Sequence, residues 1–278
     1  MALNLLDFMT GFVLTGLMAI LIEGKGALTF SGNLAAILVG TLIYGFDGMA
    51  WLVLILAFFF SSSLLSNYKI SEKTAVAGEK FQKFGARDFW QVLANGGLPA
   101  VLSVAFFITP DPRLFIAFAG VLAATTADTW GTEMGVLSKQ RPRMITTFKE
   151  VETGTSGAFS LLGNVFAILG AVFIGLVAFA VLPWASIEPV SKMQPFALVA
   201  TIAVAGLAGA LVDSIAGATV QAIYYCPVCK KETERPMHRC GTKTRKIRGL
   251  DWVDNDSVNL LAAIAGAVAS VALFQLLA

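Results

Sequence analysis

Eight long apolar runs separated by short polar segments dominate the sequence. A helix needs about 20 mostly apolar residues to cross a bilayer. The runs cover residues 3–22, 29–46, 48–66, 91–109, 114–137, 156–182, 195–222 and 257–277. A tight turn at Asp47 and Gly48 separates the second run from the third, and Pro110, Pro112 and Pro183 interrupt later ones. The pattern predicts an all-α, polytopic membrane helix bundle of about eight transmembrane helices.

The composition agrees with this prediction. Hydrophobic residues make up 56% of the chain and charged residues 14%, with a mean hydropathy of +0.75. A soluble domain would need a more highly charged surface, so this class is excluded. The 26 glycines favour close packing of helices in lipid. A net charge of +2 gives no indication of a nucleic-acid partner, and we expect one integral-membrane domain over residues 1–278 in contact with membrane lipid.

Basic residues are distributed unevenly between the loops that join these runs. Of the 20 lysine and arginine residues, 18 lie in the first, third, fifth and seventh loops, and Arg113 and Lys192 lie in even-numbered loops. Cytoplasmic loops of membrane proteins carry an excess of Lys and Arg. We therefore expect a multi-pass protein of the cell membrane with its odd-numbered loops in the cytoplasm and both termini outside. The first run lacks the basic segment and cleavage pattern of a signal peptide, so we expect it to be retained.

Asp128 and Glu133 lie inside the fifth apolar run, and Asp213 lies inside the seventh. A carboxylate in a membrane is costly and is a functional-site hypothesis by default. Asp128 lies 11 residues before Lys139 and Asp213 lies 13 before Cys226, which predicts a similar depth in the cytoplasmic half. The alternative is that each acid pairs with a neighbouring helix and only fixes packing. Binding of an ion or ligand is favoured.

Polar residues of three further segments are expected on the same side of the membrane. These segments are residues 85–95, 154–157 and 252–259. Gly154-Thr155-Ser156-Gly157 is expected to open the sixth run as a helix N-terminus that seats phosphate oxygens. Ordinary helix capping is the alternative for Ser156 and Asp256. Carboxylates, a phosphate seat and cations at one face are the requirements of Mg²⁺-dependent phosphate chemistry. No Walker A or protein-kinase signature is present in the sequence, so the expected nucleoside triphosphate would bind in a different type of site.

The candidate residues of this site fall into three groups. Asp128, Glu133, Asp213, Arg87 and Lys139 are the catalytic candidates. Gly154, Thr155, Ser156, Gly157, Asn95 and Asn259 are the candidates for binding the nucleotide. Asp128, Asp213, Asp254 and Asp256 are the candidate Mg²⁺ ligands.

All three cysteines and the only histidine of the chain lie within 15 residues, at Cys226, Cys229, His238 and Cys240. Four such ligands suit tetrahedral Zn²⁺, and the expected cytoplasmic position disfavours a disulfide. A thiol or redox pair is the alternative. Four protein ligands would close the zinc shell, so we expect structural zinc in a short cytoplasmic Cys/His loop, residues 226–250, between helices seven and eight.

Five segments resemble those of one membrane family. They cover residues 91–97, 127–135, 154–160, 213–218 and 254–259, and the Asp-Thr-x-Gly-x-Glu-x-Gly pattern at 128–135 is the most specific. The family contains animal transmembrane protein nineteen and the plant phytyl-phosphate kinase, and the resemblance runs from about residue 25 to the C-terminus. It implies a kinase that uses a nucleotide, expected to be CTP, to convert an isoprenoid monophosphate of the phytyl or geranylgeranyl type into its diphosphate.

The resemblance also implies that the acids of the fifth, seventh and eighth spans form the active site together with residues 154–157. The prenyl substrate rests on resemblance alone, whereas the acid-rich site follows from the residues themselves. A prenyl chain would lie in lipid with its phosphate at the interface, beside a nucleotide from the cytoplasm. The sequence leaves open whether two copies associate as a homodimer.

Two other functions fit parts of the pattern. A lipid-phosphate transporter or flippase would also use paired intramembrane acids, although such a pathway needs polar groups near the midplane and on both faces. A nucleotidyltransferase would use similar chemistry to form a CDP-linked lipid. The one-sided clustering of polar residues favours an enzyme over a transporter.

Overall fold

The computed structural model describes residues 3–22, 26–78, 80–81, 85–185 and 187–277. Within these residues, eight helices are long and apolar enough to cross a membrane. They are α1 (Leu5–Ile22), α2 (Phe30–Asp47), α3 (Met49–Asn67), α5 (Phe89–Ile108), α6 (Pro112–Gly135), α7 (Leu161–Ala185), α8 (Pro195–Thr219) and α9 (Asn255–Leu277), with a short helix α4 (Ile70–Ala77) after α3. Each predicted run corresponds to one of the eight, so the predicted helix bundle is confirmed. Lys25 and Lys83, two of the basic loop residues, lie outside the described residues.

Local sequence explains several helix ends. Gly48 has a φ of 78° and donates its N–H to Tyr44 O (2.9 Å), which allows the tight turn between α2 and α3. Asp88 and Gln91 form a reciprocal capping box at the start of α5. Asp111 caps α6, with Pro112 at the first helical position, where its missing N–H costs nothing.

The largest difference from the predicted runs lies before α7. The sequence predicts that residues 154–157 open the sixth spanning helix, but α7 begins at Leu161. Ala158–Phe159 forms strand β2, which pairs antiparallel with β1 (Arg143–Met144). Gly154 and Gly157 have φ values of 80° and 79°, which a right-handed helix does not allow. The segment is therefore a turn within the fifth loop and not a helix N-terminus.

Two other boundaries also differ from the prediction. Helix α7 continues through Pro183 to Ala185, because a proline near the end of a membrane helix removes a single backbone hydrogen bond. Helix α8 ends at Thr219 and not at residue 222. The sixth loop contains a short 3₁₀ helix at Val190–Lys192.

Helix α6 lies at the centre of the bundle and contacts α3, α5, α7, α8 and α9. All its residues from Phe115 to Ala127 are buried. Small residues make this possible, because they let backbones approach closely in lipid. A Cβ at Gly206 of α8 would lie 2.8 Å from Ala123 Cβ, and one at Gly266 of α9 would lie 2.7 Å from Gly120 O. This close packing brings the polar ends of α6, α8 and α9 together.

The segment between α8 and α9 forms a small antiparallel sheet, which we call the ribbon (residues 223–248). Its strands are β3 (Ile223–Cys226), β4 (Lys231–Thr233) and β5 (Arg245–Arg248), in the order β4-β3-β5. Tyr224 pairs with Thr233 on one side and with Lys246 on the other.

The third, fifth and seventh loops pack together at one end of the bundle, which we call the loop end. The N–H of Glu234 in the ribbon donates to Lys80 O (2.9 Å), and Arg235 Nε donates to Phe81 O (3.0 Å). Lys80 Nζ in turn lies 2.9 Å from Glu152 Oε2 in the fifth loop. The ribbon is thereby attached to the two other loops that carry predicted site residues.

Candidate active site

A cavity of about 720 Å³ at the loop end is lined by residues of seven helices and of the packed loops. This volume is in the range of small-molecule sites. The predicted site residues that line it are Arg87, Asn95, Asp128, Glu133, Gly154, Thr155, Ser156, Gly157, Asp213, Asp256 and Asn259. Residues from separate parts of the chain thus share one cavity, which we call the site cavity.

Asp128 of α6 and Asp213 of α8 meet at the wall of the site cavity, with their carboxyl groups in hydrogen-bonding contact. Asp213 Oδ2 is buried and has no hydrogen-bond partner among the described residues. Two carboxylates in contact repel each other unless they share a proton or bind a cation. Carboxylate oxygens are the ligands that Mg²⁺ prefers. The pair therefore has the chemistry of a divalent-cation site.

Glu133, one turn further along α6, has different surroundings. Its Oε2 accepts a hydrogen bond from Lys73 Nζ and its Oε1 accepts one from Ser66 Oγ, both at 2.7 Å. The Lys73 side chain is 1% exposed and comes from the short helix α4. The charge of Glu133 is thus neutralised within the protein.

Arg87 lies just before α5 and is half-buried. Its guanidinium donates a long hydrogen bond to Ser63 Oγ (3.5 Å) and lies over the ring of Phe58, 5.8 Å from the centroid. Burial lowers the pKa of Arg87, and the nearby Glu133 opposes this shift. Arginine remains protonated despite such a shift. The side chain is suited to receive an anionic ligand in the cavity.

The turn at residues 154–157 is held by three neighbouring segments. Thr155 Oγ1 accepts from Lys80 Nζ (3.3 Å), and Ser156 Oγ donates to Gln221 Oε1 (2.5 Å). Arg248 Nη2 donates to Ser156 O (3.2 Å). A Cβ at Gly157 would clash with the backbone of Ala218, so only glycine fits there. Ser156 is therefore part of a loop contact and does not cap a helix.

At the start of α9, Asp254 and Asp256 have different surroundings, although both are predicted Mg²⁺ ligands. Asp254 is exposed and caps the helix, because its Oδ1 accepts from the N–H (2.9 Å) and Oγ (2.7 Å) of Ser257. Asp256 and Asn259 line the site cavity, whereas Asp254 does not. Lys139 is also exposed and does not line the cavity.

The site cavity has an apolar side between α7 and α8. Ile168 of α7 and Leu211 of α8 line it, and they are 47% and 52% exposed on helices long and apolar enough to span a membrane. The two helices approach closely further from the loop end, where a Cβ at Gly175 would lie 2.9 Å from Val199 O. Exposed apolar side chains on a spanning helix contact lipid. The cavity therefore borders the lipid next to its polar groups.

The four predicted metal ligands of the ribbon come together, with their ligand atoms within 4.8 Å of one another. Cys226 Sγ lies 3.7 Å from Cys240 Sγ, and His238 Nδ1 lies 3.2 Å from the same sulfur. The cysteines are free thiols, so no disulfide competes for these sulfurs. This group, the Cys/His centre, could hold a metal ion.

Comparison with known proteins identifies the family to which the chain belongs. The family described as integral membrane protein DUF92 matches residues 13–267. The chain belongs to this DUF92 family. The family expected from the five motif segments is thereby confirmed.

Three curated relatives of this DUF92 protein cover nearly all of it. Protein PGR of Arabidopsis thaliana is 34% identical over 94% of this chain and 96% of its own length. An uncharacterized membrane protein of Methanocaldococcus jannaschii, MJ0933, is 28% identical over 98% of this chain and 96% of its own. Protein VTE6, chloroplastic, of Arabidopsis thaliana is 28% identical over 98% of this chain and 70% of its own. No solved structure matches.

Sequence reasoning missed two residues of this DUF92 site. Lys73 and Glu234 line the site cavity, but neither belongs to a motif segment or to a predicted intramembrane charge. Lys73 looked like any other basic loop residue. The position of Glu234 between the two halves of the Cys/His pattern was a usable signal, because a metal would order that segment.

Proposed function

We propose that this DUF92 protein transfers the γ-phosphoryl group of CTP to an isoprenoid monophosphate of the phytyl or geranylgeranyl type. An oxygen of the lipid phosphate attacks the γ-phosphorus, the bond to the β–γ bridging oxygen breaks, and CDP leaves. The products are the isoprenoid diphosphate and CDP. The attacking oxygen is already ionised, so catalysis consists of aligning two phosphates and neutralising their charge.

One observation carries this proposal: the Asp128–Asp213 pair and Arg87 line a single cavity that borders lipid. A phosphorylated lipid needs a cationic seat for its headgroup and an apolar exit for its chain. A soluble metabolite would need no contact with lipid. The arrangement therefore favours a lipid phosphate as substrate.

The carboxylates fit Mg²⁺, which supplies charge neutralisation to the phosphate oxygens. Asp128 and Asp213 would hold it, with Asp256 as a further oxygen donor at the same cavity. The buried Asp213 Oδ2, which has no partner among the described residues, is the atom that such an ion would satisfy.

The cationic side chains Arg87, Lys73 and Lys139 differ in whether they can bind a phosphate. The Arg87 guanidinium can bind two phosphate oxygens at once, and among the described residues it donates only the long hydrogen bond to Ser63. The charge of Lys73 is already engaged by Glu133. Arg87 is therefore the residue to bind the lipid phosphate. Lys139, exposed outside the cavity, has no part in this proposal.

The nucleotide phosphates would lie against the turn at residues 154–157, with Asn95 and Asn259 as hydrogen-bonding side chains. Positive-φ glycines let a backbone approach an anion closely. The isoprenoid identity of the lipid and the choice of CTP come from the resemblance of the motif segments. The excess of basic residues in the odd-numbered loops supports a cytoplasmic loop end, where nucleotide is present.

Labelled nucleotide tests the reaction directly. The full chain in lipid nanodiscs is incubated with Mg²⁺, geranylgeranyl phosphate and CTP labelled at either the γ- or the α-phosphate. We expect γ-label in the lipid product and none with Asp128→Asn. Asp251→Asn is the matched control, because Asp251 is an exposed aspartate of the loop end that pairs with Lys246 (2.8 Å).

Each other outcome identifies a different function. Label from the α-phosphate in the lipid would indicate formation of a CDP-linked lipid. No lipid labelling, together with movement of the lipid phosphate between the leaflets of a vesicle, would indicate a flippase. Either result would contradict the kinase.

The Cys/His centre is best explained as a structural zinc site, because its four protein ligands leave no open coordination position. Elemental analysis of protein purified without chelators should find about one zinc per chain. The Cys226→Ser/Cys229→Ser variant should lose it. Absence of zinc together with a Cys226–Cys229 disulfide would contradict the assignment.

A further inference from the structure

Glu234 lies directly after β4 and lines the site cavity, although it belongs to the ribbon and not to a membrane helix. Its N–H donates to Lys80 O (2.9 Å), and its Oε1 accepts a hydrogen bond from Gln221 Nε2 (3.0 Å). Asp128 and Asp213 line the same cavity. A cation bound between these acids would convert their repulsion into attraction. Glu234 is thus a ribbon carboxylate in the same cavity as the Asp128–Asp213 pair.

Gln221 sets the direction in which the Glu234 carboxylate is held. Its side chain is 1% exposed, its Oε1 accepts from Ser156 Oγ, and its Nε2 donates to Glu234. A donor on one side and an acceptor on the other fix the orientation of the amide. The backbone of Gln221 packs so closely against Gly249 that a Cβ there would clash with it. One buried amide therefore links the Gly154–Gly157 turn to Glu234.

The Cys/His centre encloses the segment that carries Glu234. Cys226 and Cys229 precede this segment, and His238 and Cys240 follow it. Glu234 lies five residues after Cys229 and four before His238, so a metal bound by all four ligands would tie both ends of its segment together. Strand β4 has only three residues, and so short a strand gains little order from pairing alone. Metal binding in such small units supplies the free energy of folding.

We propose that Glu234 is a further carboxylate ligand of the divalent cation held by Asp128 and Asp213, and that the Cys/His centre positions it there. The centre thereby couples a structural metal in the ribbon to a cation site at the ends of the membrane helices. This proposal rests on the proposed function, because it assigns one more ligand to the same cation site.

Binding of Mn²⁺, measured by electron paramagnetic resonance, reports on this site without depending on activity. The zinc-loaded full chain in nanodiscs is titrated with Mn²⁺ as the probe. Glu234→Gln should weaken Mn²⁺ binding about tenfold or more, and Glu234→Asp should recover part of the loss because it keeps the charge. Glu150→Gln is the control, since Glu150 is an exposed loop-end glutamate that does not line the cavity.

The role of the Cys/His centre is tested by combining variants. Cys226→Ser/Cys229→Ser should weaken Mn²⁺ binding by a similar factor. Adding Glu234→Gln to it should cause no further loss, because both changes remove the same ligand. Independent contributions would multiply. Should the cysteine variant fail to fold, the difference between Glu234→Gln and Glu234→Asp still tests the ligand assignment.

Each outcome decides a separate claim. Unchanged Mn²⁺ binding in Glu234→Gln overturns the assignment of Glu234, and multiplied losses overturn the role of the Cys/His centre. If the unaltered protein binds no Mn²⁺ and labels no lipid, the proposed function fails as well. If it does both while Glu234→Gln behaves identically, only this inference fails.

Discussion

Two half-buried carboxylate sites on α6 share one cavity but have opposite surroundings. Glu133 is held by Lys73 and Ser66 at 2.7 Å, so its charge and both its oxygens are satisfied by the protein. Asp128, little more than one turn away, contacts a second carboxyl group, and Asp213 Oδ2 has no partner among the described residues. The comparison separates a carboxylate that the protein neutralises from a pair for which the described residues supply no cation. The Asp128–Asp213 pair is therefore the site suited to bind a ligand.

The largest expected effect concerns stability at the satisfied site. Glu133→Gln leaves the buried Lys73 ammonium without its counter-charge, which should cost about 3 kcal/mol of unfolding free energy. Removing both charges in Lys73→Met/Glu133→Gln should restore much of this loss. The midpoint of unfolding in detergent measures both variants.

Glu72→Gln is the control for this experiment, because Glu72 lies beside Lys73 on α4 but forms an exposed pair with Lys69 (3.1 Å). It should leave the midpoint nearly unchanged. Equal midpoints for Glu133→Gln and Glu72→Gln would remove the distinction drawn between Glu133 and the aspartate pair.

The aspartate pair should show the reverse behaviour. Asp128→Asn and Asp213→Asn each relieve a carboxyl–carboxyl contact, so both variants should insert and fold normally. Phosphoryl transfer should fall at least about a hundredfold, because a charge linked to the metal is lost. Rates of label transfer from γ-labelled CTP measure the effect. Full activity in both purified variants would show that the pair lies outside the reaction centre.

Arg87 lines the same cavity as both sites, and the charge of Glu133 opposes the lowering of its pKa by burial. Arg87→Lys keeps the charge but loses the two-pronged contact with phosphate. The KM for the lipid phosphate should rise about tenfold, as expected for the loss of one charge-assisted hydrogen bond, with a smaller change in kcat. Arg113→Lys, at an exposed residue of the opposite end, serves as the control. An unchanged KM would indicate that Arg87 interacts with Glu133 and does not bind the lipid phosphate.

The smallest effect is expected at a lysine–glutamate pair whose glutamate is exposed. The hydrogen bond and charge of Lys80 lower the pKa of Glu152, whose usual value is 4.5. A lowered pKa contributes stability above about pH 4.5, and this contribution is lost as the pH falls through the lowered value. Because the Glu152 side chain is 74% exposed, Glu152→Gln should cost under about 1 kcal/mol at pH 7. The difference from the unaltered protein should vanish in acid, and a difference that grows in acid would contradict the assignment.

The site could be predicted only in part from the sequence. Asp128 and Asp213 could be predicted as site residues because an acid in an apolar run is unusual. Their similar distances from the following loops also predicted a similar depth. Asp254 and Asp256 were both predicted as Mg²⁺ ligands, with helix capping as the alternative for Asp256. In the structure Asp254 caps α9, while Asp256 faces the cavity. Which of the two turns inward depends on helix phase and on the packing of α9 against α6 and α8.

The prediction of a helix N-terminus at residues 154–157 was wrong for a related reason. Small residues ahead of an apolar run predict a helix N-terminus, but positive φ at Gly154 and Gly157 and the pairing of β2 with β1 prevent a helix there. That pairing joins Arg143 to Phe159 and Met144 to Ala158, and it leaves little trace in local composition. The turn still lines the site cavity, because Gly157 packs directly on α8.

The sequence by itself determined the eight spans, the uneven distribution of basic residues and the four residues of the Cys/His centre. Apolar length, charge and ligand spacing are local properties that solvent and metal chemistry act on directly. Only the tertiary structure decided which charges meet. Lys73 and Glu133 are 60 residues apart, and Glu234 enters the cavity that Asp213 lines from a ribbon that lies after α8. Such contacts depend on how closely small residues let the helices pack and on how the loops then fit together, and neither can be derived from the pattern of a single segment.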